Sequence, residues 1–190
     1  LVYAVYRTDA TSLEAVQADK SLLTLLYQKN YDADETTFVT VNGKQSAYVP
    51  VELLNNGQNF VVVFWAQVED KWVGEDFNLL NGIGYPAGMD ANNSDFAAFT
   101  GISFLKSDNL AAKKSIELKR PFAQINVAST LPAQIKDVVL STSTVKVMKA
   151  GKTFDVINQV ASETQTVVEF IAAELPDGNL TVAGNTYKYI

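Results

Sequence analysis

Four carboxylates, Glu69, Asp70, Glu75 and Asp76, bracket Trp72 just after the most apolar stretch of the chain. Two carboxyl groups beside an aromatic ring are the equipment of a glycosidase. One protonates the leaving oxygen and the other acts as base or nucleophile, at a carboxyl separation of ~5–9 Å. Adjacency in sequence does not set that separation, and a run this rich in Gly and Asn reads first as a solvated acidic loop. A second oxygen-rich run, Asp90-Ala-Asn-Asn-Ser94, has the alternation that opens a calcium-binding loop. It then fails at both diagnostic places, with Asp95 where the turn needs Gly and Gly101 where the bidentate Glu belongs. No metal is expected there. Trp72 and Asp76 remain as a candidate ligand loop within 69–100, an aromatic and an acid on which a host protein or glycan could dock. Trp65, inside the apolar run, reads as core, so Trp72 has the better claim to exposure.

The chain of 190 residues contains no His and no Cys. Ser-His-Asp hydrolysis, HExxH metalloprotease chemistry, thiolate nucleophiles and iron–sulfur clusters are therefore excluded. Carboxylate, Lys, Tyr or Ser–Lys chemistry survives. The acidic cluster shows no apolar surroundings that would split two carboxyl pKa values apart. The expectation is a protein that is not an enzyme and carries no cofactor. With 15 basic against 21 acidic residues the formal charge is −6, and no basic block exists to displace counterions from a phosphate backbone. Nucleic acid and anionic lipid are accordingly poor partners. The longest apolar run, Phe60 to Ala66, falls far short of the ~20 residues of a spanning helix.

The elements that would position these residues have a period of two. Leu1-Val-Tyr-Ala-Val-Tyr6 is β-branched and aromatic, and alternation puts Leu1, Tyr3 and Val5 on one face. Thr11-Ser-Leu-Glu14 has capping-box spacing and predicts a short helix over about 12–18. Ser21 to Gln28 reads as a strand or edge segment. Phe38-Val-Thr-Val41 and Tyr48-Val-Pro-Val-Glu-Leu53 flank Asn42-Gly43, the strongest hairpin dipeptide. Phe60 to Val68 is apolar on both faces, as in a strand covered on both sides. Residues 69–100 read as one long loop. Phe122-Ala-Gln-Ile-Asn-Val127 alternates, with Ile125 and Val127 inward, and Val139–Met148, Thr166–Ala172 and Leu180–Tyr189 continue the rhythm. Strands at short spacing with turns between them predict an all-β antiparallel sandwich with Phe60, Val62, Phe64, Ile125 and Val127 in its core.

The stretch Leu118-Lys-Arg-Pro-Phe-Ala-Gln-Ile-Asn-Val127 resembles a signature of the Bacteroidales fimbrillins, the major and minor fimbrium (type V pilus) subunits. The opening strand, Phe64-Trp-Ala-Gln67, Asp95-Phe-Ala-Ala-Phe-Thr-Gly101 and the closing Tyr187-Lys-Tyr-Ile190 are similar in the same order. The resemblance implies a transthyretin-like Greek-key sandwich over 1–190, the N-terminal domain of a two-domain pilin whose C-terminal domain is absent. It also implies export as a lipoprotein, proteolytic trimming and polymerisation by donor-strand exchange. The partners would be other pilin subunits and possible host protein or glycan, with membrane contact only through a lipid anchor on the precursor.

Three functions follow in order: a structural subunit of a surface fimbria, a tip or accessory adhesin using loop 69–100, and a carboxylate-dependent glycosidase. For the first, the expected acceptor is an unpaired edge at the opening strand, with Leu1, Tyr3 and Val5 lining or flanking the groove.

Overall fold

The structure is a computed structural model. It describes residues 1–31, 38–54, 56–68, 71–73, 77–86, 94–110, 114–122, 128–129, 134–135, 138–139, 143–172, 179–182 and 185–189. All strand pairings among them are antiparallel. The centre is a four-stranded sheet built from β1 (Val2–Thr8), β2 (Thr24–Asn30), β5 (Asn59–Gln67) and β7 (Ala98–Leu105), in the order β2-β1-β5-β7. Between β2 and β5 lies the hairpin of β3 (Phe38–Val41) and β4 (Lys44–Ala47). Short β6 (Ile83–Gly84) joins a small three-stranded sheet with residues 153–155 and 160–161. Further along, Ser143–Gly151 pairs with Gln165–Ala172, and Asn179–Val182, Asn185–Tyr189 and Ala128–Ser129 form another sheet. The fold is an all-β sandwich with one short helix, α1 (Leu13–Ala18).

Register follows from the side chains. β1 and β5 pair Tyr3 with Phe64, Val5 with Val62, and the intervening Ala4 with Val63 and Tyr6 with Val61. Alternation then divides the buried residues into two clusters, one per sheet face. Tyr3, Val5, Phe60, Val62, Phe64 and Leu105 lie on one; Val2, Ala4, Tyr6, Val61, Val63 and Trp65 lie on the other. A strand apolar on every residue, such as Phe60–Trp65, needs cover on both sides, and both sides are covered. Phe60, Val62 and Phe64 are buried as expected, whereas Ile125 and Val127 lie outside the described residues.

Three local expectations change. The N-cap falls one residue later than its first candidate, Thr11: Ser12 is the N-cap and accepts from the Ala15 amide at 3.3 Å. The hairpin at Asn42-Gly43 closes directly on Lys44–Ala47 rather than on Tyr48–Leu53. Both turn residues have positive φ, 51° and 76°, and a two-residue turn of this kind fixes Val41 opposite Lys44. The stretch 69–100 is not merely a loop. It supplies β6, two 3-10 turns and the start of β7, and it buries Val73, Leu79 and Ile83 in the core.

Candidate functional site

Leu1, Tyr3 and Val5 do share a face, but not an edge. β1 is an interior strand, laddered to β2 on one side and to β5 on the other. Tyr3 and Val5 are fully buried and Leu1 is half-buried. The expectation of an unpaired edge at the first strand is therefore corrected. Local sequence could not reveal the two long-range partners that flank it. The strand that ends the sheet on this side is β2, which among the described residues pairs only with β1. Its pairing shifts register between Val5 and Tyr6, so Leu26 is the extra residue of a bulge. Bulges of this kind blunt sheet edges, yet Leu25 and Leu26 on it stay exposed.

What covers the Tyr3 face is unusual for a sandwich. Among the described residues, all six that are buried on it belong to the central sheet, and each one packed over them from elsewhere is only partly buried. The described part of the roof is Val49, Val51 and Leu53 from one segment and Leu110, Ile116 and Leu118 from another. Among the described residues neither segment is a ladder strand; the second touches the sheet edge through a bridge of Lys119 with Thr100. Along Tyr48–Leu54 the burial alternates strictly, with 49, 51 and 53 half-buried and 48, 50, 52 and 54 exposed. This is strand geometry without strand hydrogen bonds. Pro50 has no N–H to give a ladder. The segment is instead gripped from below by two phenols: Tyr27 Oη donates to the Glu52 carbonyl at 2.7 Å, and Tyr3 Oη to the Pro50 carbonyl at 3.4 Å.

The tyrosines form a compact group. Tyr3 meets Tyr27 edge-on at 6.0 Å, Tyr31 at 5.5 Å and Phe64 stacked at 6.0 Å. The Leu1 nitrogen donates to the Tyr31 carbonyl at 2.8 Å, which ties Leu1 to the same corner. Burial pushes the Tyr3 and Tyr27 hydroxyls above the ordinary phenol range, and for Tyr3 the neighbouring Tyr27 and Tyr31 push the same way. Both stay protonated donors at neutral pH. The second roof segment crosses the sheet at Gly101. A Cβ there would stand 2.6 Å from Leu118 Cδ2 and 3.1 Å from Ile116 Cγ2, so any larger residue must push the Leu118 side chain aside.

The other candidate, Trp72 with Asp76, is placed differently from its expectation. Trp72 is half-buried and packs against the core cluster of the opposite face. Its ring stacks on Phe122 at 4.9 Å with 14° between planes, meets Trp65 edge-on at 5.9 Å, and donates its indole N–H to the Phe96 carbonyl at 3.1 Å. One aromatic face is already occupied, which leaves a poor platform for a sugar. Asp76, together with Glu69, Asp70, Glu75 and residues 90–93, lies outside the described residues.

An open polar groove not anticipated from the sequence is lined by Lys20, Asn81, Asp155, Asn158, Ser162 and Glu163, among others. Its central Asp155 is fully engaged. Lys20 Nζ donates to it at 2.6 Å, and the amides of Ile157 and Asn158 and the Asn158 side chain complete its shell. Such a carboxylate organises the 155–158 turn and leaves no lone pair aimed at a ligand. Among the described residues no group of three or more His, Cys, Asp or Glu could hold a metal ion, and no helix is long and apolar enough to cross a membrane.

The residues that sequence reasoning missed are those of the Tyr48–Leu54 roof. Their signal was present as strict alternation interrupted by Pro50. A model of a protein family of unknown function, DUF6562, matches residues 2–185. No curated protein and no solved structure matches the chain.

Proposed function

The chain belongs to that family of unknown function, and from this premise we propose that it is a structural subunit of a bacterial surface fimbria that assembles by strand exchange. It acts by association rather than by catalysis, on the cell surface, with other subunits as its partners. The supporting observation is the Tyr3 face: among the described residues its six buried side chains are roofed by partly buried chain that forms no second ladder. A strand from a neighbouring subunit laid over such a face brings main-chain hydrogen bonds along its length and side chains for alternate pockets. Contacts of this kind accumulate residue by residue, so a filament of a cysteine-free chain can be durable without a covalent link. The fimbrillin-like stretches noted in the sequence point to the same class. The adhesin reading loses ground because the stacking face of Trp72 is taken by Phe122.

The test is assembly itself. Purified chain held at high concentration is examined by negative-stain electron microscopy and by gel ladders without boiling. Linear polymers whose subunits stay together in detergent are expected. A chain that stays monomeric under all conditions, alone and with the other exported subunits of its host, sinks the proposal.

A further inference from the structure

The two layers above and below β5 differ in how they are attached, and we infer from this that Tyr48–Leu54 is a displaceable plug. It occupies the Tyr3 face in place of a strand from another subunit, one that carries branched apolar side chains at three alternate positions. The inference rests on the strand-exchange reading and names the gate of that site. Val49, Val51 and Leu53 show the chemistry of the occupant, because they already fill the positions that such a strand would fill.

Between Val49 and Leu53 the plug has little to hold it. Among the described residues, none of the backbone groups from Val49 to Leu53 bonds to backbone, and the carbonyls of Pro50 and Glu52 are met only by phenol hydroxyls. Its outward Pro50, Glu52 and Leu54 are exposed, Leu54 to 77%. Turns bound it at both ends: the Asn42-Gly43 hairpin before it, and after it Gly57, at φ 82°, following the Asn56 amide's bond to the Leu54 carbonyl. By contrast, the sheet beneath is laddered on both sides of β1 and β5. Lifting the plug breaks no ladder and leaves the opposite face packed. Local opening draws on segments with few buried contacts and few backbone bonds, and this segment meets both conditions.

Neighbouring residues of β5 give the experiment. Val62 points to the plug face and Val63 to the opposite one, 1% and 0% exposed. The chain has no cysteine, so Val62→Cys and Val63→Cys each carry a single thiol. Labelling with an aromatic disulfide reagent in sub-denaturing urea should be on the order of a hundredfold faster at Val62→Cys, with little urea dependence, because only a local opening is needed. Val63→Cys should follow global unfolding. Val5→Cys against Val61→Cys, both fully buried on the same two faces, repeats the comparison should either first variant fold poorly. Adding Val51→Asp should accelerate Val62→Cys further while leaving Val63→Cys unchanged. A synthetic peptide of the Tyr48–Leu54 sequence should restore protection in that double variant, and the same peptide with Asp at its three inward positions should not. Equal rates with equal urea slopes at the two cysteines, acceleration of both by Val51→Asp, or no protection by the first peptide overturns the inference. These readouts need no polymer, so absent filaments with a labile plug would sink the fimbrial reading and leave the plug standing.

Discussion

The two faces of the central sheet bury similar side chains and are closed by different means. On the Trp65 face the cover is itself core. Val16 of α1, Leu79, Ile83, Phe154, Val156 and Ile157 are all buried along with the strand residues they touch. Val16, Leu79, Ile83 and Phe154 sit in elements with their own hydrogen bonds, the capped helix, a 3-10 turn and the small sheet, and Val156 and Ile157 in the turn that Asp155 organises. On the Tyr3 face no covering residue among the described ones reaches that state. The difference shows that removing a sheet face from water and completing a sandwich are separate achievements. Apolar transfer needs only a roof, at ~25 cal/mol per Å² whatever its structure. Permanence needs the roof to satisfy its own backbone. The Tyr3 face has the first without the second, and an exchange site requires that combination.

The largest expected effect would confirm which face carries stability. Trp65 is fully buried and meets Trp72, Phe122 and Phe154. Trp65→Ala should cost ~3–5 kcal/mol in urea unfolding, against about 1 kcal/mol for Leu53→Ala in the half-buried plug. Equal losses would abolish the distinction. Next in size is Gly101→Ala, where the new methyl meets Leu118 and Ile116. Overpacking of this kind costs ~1–3 kcal/mol. Because the clash is with the roof, it should speed thiol labelling at Val62→Cys and not at Val63→Cys.

How much of this contrast the sequence discloses depends on how far apart the interacting residues lie. β1 and β5 announce themselves through β-branched and aromatic runs, and α1 through Ser12 and its apolar Val16. β7 does not: its Gly101 and Ser103 interrupt the apolar pattern on the very face where the roof comes close, so it hides at the end of an apparent loop. Leu79 and Ile83 are fully buried without any periodicity to flag them. They are core because of what folds onto them, not because of their neighbours in the chain. The placement of Leu1, Tyr3 and Val5 on one inward face is pure alternation and readable. Their status as interior rather than edge residues depends on β2 and β5, more than twenty and fifty residues away. The Tyr48–Leu53 alternation is visible too, but only the structure shows that Lys44–Ala47 has taken its place in the hairpin.

A smaller effect probes the well-attached face through charge. Lys20 pairs with Asp155 beneath α1. Burial alone would raise the Asp155 pKa; the Lys20 ammonium and the Asn158 and Ile157 amides outweigh it and hold the carboxyl below the ordinary carboxylate range. A lowered folded-state pKa contributes stability above the unfolded value, and that contribution is lost as pH falls through the folded value. Asp155→Asn should therefore cost about 1 kcal/mol near neutrality, reduced by solvent screening. The gap between variant and parent should close as pH drops below the ordinary Asp value, near 4. A gap that persists in strong acid would mean that Asp155 acts through shape alone.

The smallest effect separates the faces most directly, because each has a tyrosine hydroxyl used in an opposite way. The Tyr6 hydroxyl, on the Trp65 face, has no partner among the described residues, and burial pushes its pKa up to about 12. Tyr6→Phe removes an unpaired polar atom and should leave stability unchanged or slightly raised. Tyr27→Phe, on the other face, removes the donor to Glu52 and should cost about 1 kcal/mol. Raised phenol pKa values give stability that is complete below the unfolded value, near 10, and is lost as pH climbs through the folded one. On the Tyr3 face this loss has a location, since a phenolate can no longer donate to the carbonyls of Pro50 or Glu52. Alkaline pH should thus release the plug ahead of the sheet. Above about pH 10, where an ordinary cysteine is already thiolate, labelling at Val62→Cys should keep rising while Val63→Cys stays slow. Tyr27→Phe should flatten that rise and Tyr6→Phe should not. A parallel rise at both cysteines would place the alkaline weakness in the whole molecule rather than in the phenol grip on one segment.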